Sequence, residues 1–324
     1  MLKGNPWRTV GQQLVLRGAI PIGARLPVAT TGALCRLIDG LAFSHARRNP
    51  AVEAAIVRAL GCDAATAAAI ARRQRLATLH AGVDLARWRR RPESAIGTIT
   101  FEGEAHLGEA AAPNRGVVLA SCHTVGIYAG SWQASYVLGE RGYRSAALMS
   151  VGAPDYVATT RALLAGTADA SLRALRDLKA GRLLFVATDN HRVRSRRALD
   201  RAFLGARCRF PLGAATLARL AQAPVVPAVA IATGQGRYTI RFFPALPPPS
   251  RHDAAADGPL TDRLLTLFET LIRAKPHQYG LYPTRGWSAQ EPEAAATGPT
   301  HTPDAGTCGV VVTGPPPERV LHAA

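Results

Sequence analysis

The stretch VVLASCHTVGIYAG, Val117–Gly130, decides how the chain is read. Val117 to Ala120 is an apolar run of strand length, and Tyr128 to Leu138 carries a helical pattern. Between them lie two small polar residues, Ser121 and Cys122, then His123 and Gly126. Strand, short loop and helix make the first half of a βαβ unit. In parallel sheets, functional groups gather just beyond the carboxyl ends of the strands, which is where this loop falls. His123 is therefore a candidate base, and the question is which group holds its ring.

Outward from this stretch, short apolar runs alternate with amphipathic ones. Strands are expected at Ile99–Phe101, Ala146–Met149, Leu183–Ala187 and Val225–Ala232. Helices are expected at 103–112, Tyr156–Leu164, Leu172–Lys179, Gly213–Ala221 and Leu260–Ala274. The Gly234-Gln235-Gly236 turn leads into a last strand, Tyr238–Phe243, as a hairpin. This alternation predicts an α/β fold with a mostly parallel central sheet flanked by helices and an antiparallel hairpin at its end. Upstream, residues 63–91 read as one long helix, capped by Asp63 and stopped by Pro92.

Three regions follow: 1–92, helical; 93–287, the α/β core; and 288–324, rich in Ala, Gly, Pro and Thr and expected to be a disordered tail. Arg17 and Arg25 interrupt the N-terminal apolar segment before it reaches the roughly 18 residues that span a bilayer. It suits a helical segment lying at a membrane surface, or equally a buried core helix.

The net charge of +17 and pI near 10.8 rest almost wholly on arginine; the lysines are Lys3, Lys179 and Lys275. Such a charge attracts polyanions, here an anionic membrane or phosphate-bearing substrates. No helix-turn-helix, zinc-finger or aromatic RNA-binding pattern is present, so no nucleic-acid partner is expected. Cysteines 35, 62, 122, 208 and 308 show no C-x-x-C pairing, which fits neither a disulfide framework nor a metal site and suits a reducing cytoplasm.

Asp189 stands after the strand Leu183–Ala187, as His123 stands after Val117–Ala120. On neighbouring strands the carboxylate would bond one imidazole nitrogen and leave the other to take a proton. Each residue alone is as readily an ordinary polar strand end or turn former. Amides of the helix opening after Gly126 are placed to meet an oxyanion. Cys122 is no nucleophile for His123, because adjacent residues of an extended chain point apart. The run HRVRSRRALDR places Arg192, Arg194, Arg196, Arg197 and Arg201 beside Asp189, as a solvated loop or as a phosphate clamp.

Several blocks, in order, resemble the lysophospholipid acyltransferase-like family, in the group of lipid A biosynthesis lauroyl and myristoyl transferases. The phosphatidylinositol mannoside acyltransferases are relatives. The blocks are FEGEAHLGEAAAPNRGVVLASCH, DASLRALRDLKAGRLLFVATDN, FLGARCRFPLGAATLARLAQAPVVPAVAI and IRAKPHQYGLYPTRGW, within roughly residues 10–287. The family motif is a histidine, four residues, then Asp or Glu; here Tyr128 stands where that acid belongs. Asp189 then serves as the orienting acid, His123 works unaided, or the protein binds without turnover. A phenol with a pKa near 10 is a poor substitute for a carboxylate.

The resemblance implies a membrane-associated O-acyltransferase at the cytoplasmic face of the plasma (inner) membrane. Its donor would be acyl carrier protein or acyl-coenzyme A, and its acceptor a hydroxyl of a lipid or glycolipid. No cofactor and no metal are implied, since a thioester is already activated. His123 would be the base and Asp189 its orienter; Gly126, Tyr128, Arg161, Arg192, Arg194 and Arg285 would face donor or acceptor. The alternatives are a non-catalytic lipid or acyl-thioester binder on the same fold, and a thioesterase with water as acceptor.

Overall fold

The computed structural model describes residues 18, 20–42, 49–111, 115–127, 129–149, 160–164, 169–193, 195–234 and 236–284. The expected tail, 288–324, lies outside them. The helices are α1 (Val28–Ala42), α2 (Pro50–Leu60), α3 (Ala64–Arg90), α4 (Glu104–Ala111), α5 (Gly130–Glu140), α6 (Ala170–Lys179), α7 (Gly213–Ala221) and α8 (Asp257–Ala274). The strands are β1 (Ile99–Glu102), β2 (Val117–Ser121), β3 (Ser145–Met149), β4 (Thr160–Leu164), β5 (Leu183–Ala187), β6 (Ala198–Phe203), β7 (Ala206–Pro211), β8 (Val225–Gly234) and β9 (Arg237–Phe242).

Seven strands form one sheet in the order β1-β9-β8-β2-β5-β3-β4, and β6 and β7 form a separate ribbon. All pairings in the large sheet are parallel except β8 with β9. The expected α/β architecture is thus present. β2 is buried along its whole length, because helices cover both faces of a parallel sheet. Its side chains alternate. Val117 and Leu119 face the layer that contains Leu107 and Ala110 of α4 and Ala134 and Leu138 of α5. Val118, Ala120 and Cys122 face the other layer, with Leu178 of α6, Ala215 of α7 and Leu265 of α8. Ala55 and Ile56 of α2 and Ala67 and Ala71 of α3 belong to that same cluster.

The structure departs from the sequence reading in a few places. Residues 160–164, expected to end a helix, are strand β4, paired in parallel with β3 at the sheet edge. A five-residue segment carries too little periodicity to separate the two, and edge pairing decides it. The β8–β9 hairpin is not the end of the sheet, because β1 adds in parallel outside β9. The run taken as a basic loop enters the β6–β7 ribbon. α3 is capped by the Asp63 side chain, which accepts from the Thr66 amide at 2.9 Å, as expected. Cys35 and Ile38 of α1 are buried, while Leu37 is 58% exposed and Ile22 55%.

Candidate active site

The parallel register of β2 and β5 builds the site. Ser121 pairs with Ala187, so two residues further on His123 and Asp189 stand side by side. Thr188 continues the ladder with its amide donating to the Ser121 carbonyl at 2.9 Å. His123 Nδ1 and Asp189 Oδ1 are 2.6 Å apart, and the His123 backbone amide donates to Asp189 Oδ2 at 2.9 Å. The Asp189 side chain is sealed at 0% exposure while the imidazole is 15% exposed. A buried carboxylate thus fixes the proton on Nδ1 and leaves Nε2 as the nitrogen that can accept one.

Burial pushes the His123 pKa down, but the Asp189 charge and hydrogen bond outweigh it, and the net shift is upward. For Asp189 burial pulls upward, and the His123 charge with the donated hydrogen bonds brings the carboxyl below its usual range. An imidazolium and a carboxylate stabilise one another here, as a base that must hold a proton requires. Cys122 is fully buried and burial lifts its thiol well above the ordinary range, so it stays protonated.

Sequence reasoning missed the third member of this group. Tyr279, fully buried, donates from its hydroxyl to Asp189 Oδ2 at 2.9 Å. It lies in the IRAKPHQYGLYPTRGW block, where an aromatic after the last helix was the only signal. Its neighbour Gln278 brackets Ala232 of β8, accepting from its amide at 3.2 Å and donating to its carbonyl at 3.1 Å. A mainly apolar cleft lies next to Cys122 and Thr124, which flank His123; Ile231, Leu271 and Tyr279 line it, with Arg241, Lys275 and Gln278 as its polar members.

The proposed binding residues fare unevenly. Arg192 is exposed, and its charge is close enough to oppose protonation of His123. Arg161 is not brought to the site. It is in register with Ala146, which is level with Leu184 and hence with Val118, so it sits five residues short of His123 and three strands over. At strand rise and spacing this is roughly 20 Å. Tyr128, Arg194 and Arg285 lie outside the described residues. Of the other arginines in the basic run, Arg197 pairs with buried Asp257 at 3.0 Å, and Arg201 pairs with Asp262 and Glu269 at 2.8 and 3.1 Å. Both fasten the ribbon to α8 instead of facing a ligand.

Gly126 has a packing role. The α-helix begins at Gly130, and Val125–Ile127 is a single 3₁₀ turn laid against β8. The Thr124 hydroxyl donates to the Ala230 carbonyl at 2.6 Å, and a Cβ on Gly126 would lie 2.6 Å from that same oxygen. Gly126→Ala is expected to cost about 1–3 kcal/mol of unfolding free energy, since backbone must move. Gly108→Ala in α4, with nothing within 4 Å of the added carbon, is expected to be neutral or mildly stabilising. Urea unfolding of the two variants measures the difference.

The model of the bacterial lipid A biosynthesis acyltransferase family matches residues 76–285, a span that takes in the second half of α3, the whole sheet, His123, Asp189 and Tyr279. The chain belongs to that family. No curated protein matches it. Among solved structures it is similar to the 1-acyl-sn-glycerophosphate (LPA) acyltransferase PlsC from Thermotoga maritima. The identity is 13%, the coverage 82% of this chain and 98% of that one, and the TM-score 0.37. In this member the acid bonded to the histidine comes from the neighbouring strand, and Tyr128 stands five residues downstream of His123.

Proposed function

We propose that the protein moves a fatty acyl group from a thioester of acyl carrier protein or coenzyme A to a hydroxyl of a lipid or glycolipid. Membership of an acyltransferase family is one support. The observation that carries the chemistry is the 2.6 Å contact between a partly exposed imidazole and a sealed carboxylate. His123 Nε2 takes the proton of the acceptor hydroxyl as its oxygen attacks the thioester carbonyl. The tetrahedral intermediate collapses with cleavage of the C–S bond, and the imidazolium returns its proton to the departing thiolate. Asp189 holds the ring in the required tautomer and stabilises its charged form. Arg192, with Arg194, binds phosphate on donor or acceptor. The apolar cleft is the kind of surroundings an acyl chain needs.

The reaction is placed at the cytoplasmic face of the plasma membrane. The support is the exposed apolar set Ile22, Leu26, Val28 and Leu37, with the exposed arginines Arg25 and Arg36 among them. Among the described residues no single helix is long and apolar enough to cross a membrane, though the bent pair α2 and α3 together meets the requirement of length and composition; the attachment in this reading is peripheral or monotopic.

The test is incubation of the full chain with labelled acyl-coenzyme A, or acyl carrier protein, and extracted membrane lipids. Labelled acylated lipid is the expected product. Free fatty acid as the sole product would make the protein a thioesterase. Tight donor binding with no turnover would favour the non-catalytic reading that Tyr128, standing in place of the motif acid, suggests.

A further inference from the structure

The segment after α8 returns to the site and touches both members of the pair. Tyr279 bridges to Thr124 in antiparallel fashion, and the Gly280 amide donates to the His123 carbonyl at 2.8 Å. This bridge therefore holds the His123 backbone from one side while Asp189 holds its amide and ring from the other. Tyr279 is itself wedged edge-on between Phe203 and Tyr282, with ring centroids 6.4 and 5.2 Å away, so its hydroxyl has a fixed direction. Burial lifts its phenol well above the ordinary range, which keeps it a donor throughout the working pH range.

Oδ2 of Asp189 thus receives two donors, the His123 amide and the Tyr279 hydroxyl, and Oδ1 is left to the imidazole. We propose that Tyr279 is a positioning residue for the catalytic pair: its hydroxyl orients the Asp189 carboxylate and disperses its charge, and so sets how strongly His123 holds a proton. The proposal deepens the reading of His123 as the base and rests on it.

The sign follows from charge dispersal. Removing the phenol leaves more negative charge on the carboxylate, so His123 holds its proton more tightly and its pKa rises. Strengthening the phenol as a donor does the reverse. Other groups around the three are His191 and Arg192 after β5, Cys122 at the end of β2 and Cys208 on β7. Burial lifts both thiols, Cys208 to about 11, and the thiols stay neutral. Burial draws His191 below the ordinary imidazole range, so its titration is separate from that of His123.

The experiment follows the His123 ring by NMR in the full chain carrying ¹³C-labelled histidine, with the signal assigned by its loss in His123→Gln. In Tyr279→Phe the His123 pKa is expected to rise by about half a unit to one unit. With 3-fluorotyrosine in place of Tyr279 it is expected to fall. The fluorinated chain is nearly isosteric and keeps the test intact if Tyr279→Phe does not fold. An unchanged pKa, or shifts of the same sign in both, would overturn the proposal. The acid limb of acyl transfer should move with the ring pKa. Shifted pKa values in a protein that transfers nothing would leave the positioning role standing and remove the proposed activity; unmoved values in an active enzyme would do the opposite.

Discussion

Asp189→Asn is expected to lower acyl transfer by about 10²–10⁴-fold, the range carried by a positioned acid–base group, with little change in fold. The loss comes from a tautomer. Three donors converge on the Asp189 carboxylate: the His123 amide and the Tyr279 hydroxyl on Oδ2, and Nδ1 of the ring on Oδ1. An asparagine must put its amide oxygen where two donors meet, so its NH₂ faces Nδ1. Nδ1 then becomes the acceptor, the ring proton moves to Nε2, and the nitrogen that should take the acceptor's proton is blocked. His123→Ala should lose at least as much. The double variant should be no worse than His123→Ala alone, because the two residues act as a unit.

The same substitution has a pH signature. The wild-type pair holds the His123 pKa above its ordinary value, so transfer should be half-lost on acidification above about pH 6.5, where the ring protonates. Without the carboxylate, burial and the Arg192 charge remain, and both favour the neutral ring. The acid limb of the residual activity should therefore move down by about 1–3 units. Thiol release from an acyl thioester, followed across pH, measures both the loss and the shift. An Asn variant with the wild-type limb would show that Asp189 does not govern the base.

β2 and β5 are five-residue apolar runs whose downstream polar residues pointed to a site, because a strand buried on both faces must change composition where it leaves the sheet. That the two strands are neighbours, in a register that puts His123 level with Asp189, is a tertiary fact with no local signal. The β6–β7 ribbon was hidden for a different reason. Phe203, Cys208 and Phe210 are buried at alternating positions, but the intervening arginines made the segment read as a charged loop. Its turn also lacks the usual Asn-Gly signature. Leu204 and Gly205 both adopt positive φ, 49° and 73°, and the leucine is held there by full burial and by its amide donating to Glu269 at 2.9 Å. Tyr279 was invisible as a site residue because a hydroxyl's target depends on where the chain returns after α8. Arg161 has no place relative to His123 in the sequence alone, because a helix over 156–164 offers no register and only the pairing of β4 with β3 supplies one.

Asp84→Ala is expected to cost about 3–5 kcal/mol of unfolding free energy, the range for removing one partner of a buried ion pair. Asp84 lies on α3 at 5% exposure and joins three parts of the chain. Its Oδ2 accepts from the Tyr238 hydroxyl at 2.9 Å and the Gly236 amide at 3.1 Å, both in the β8–β9 hairpin. Its Oδ1 accepts from Arg87 at 2.8 Å, and Arg87 reaches on to the Gly23 and Leu26 carbonyls and the Thr31 hydroxyl. Alanine strands the buried Tyr238 hydroxyl and leaves Arg87 without its carboxylate. Burial raises the Asp84 pKa more than these partners lower it, so ionisation is less favourable in the fold than in the unfolded chain. The extra stability of the protonated form is therefore fully present below the unfolded carboxyl value and is lost as pH rises through the raised one, while the hydrogen-bonded junction persists on both sides. Asp84→Asn, which keeps an acceptor for Tyr238 and Gly236 and carries no charge, should cost less than half as much as alanine. The effect reaches the site, because the Tyr238 ring packs with Val125 and Ala129 of the loop that follows His123. Asp84→Ala should thus lower transfer as well as stability, while Asp84→Asn should keep most of both. Urea unfolding in parallel with the transfer assay tests the pair, and equal losses in the two variants would show that the charge, not the hydrogen-bonded junction, is what the fold requires.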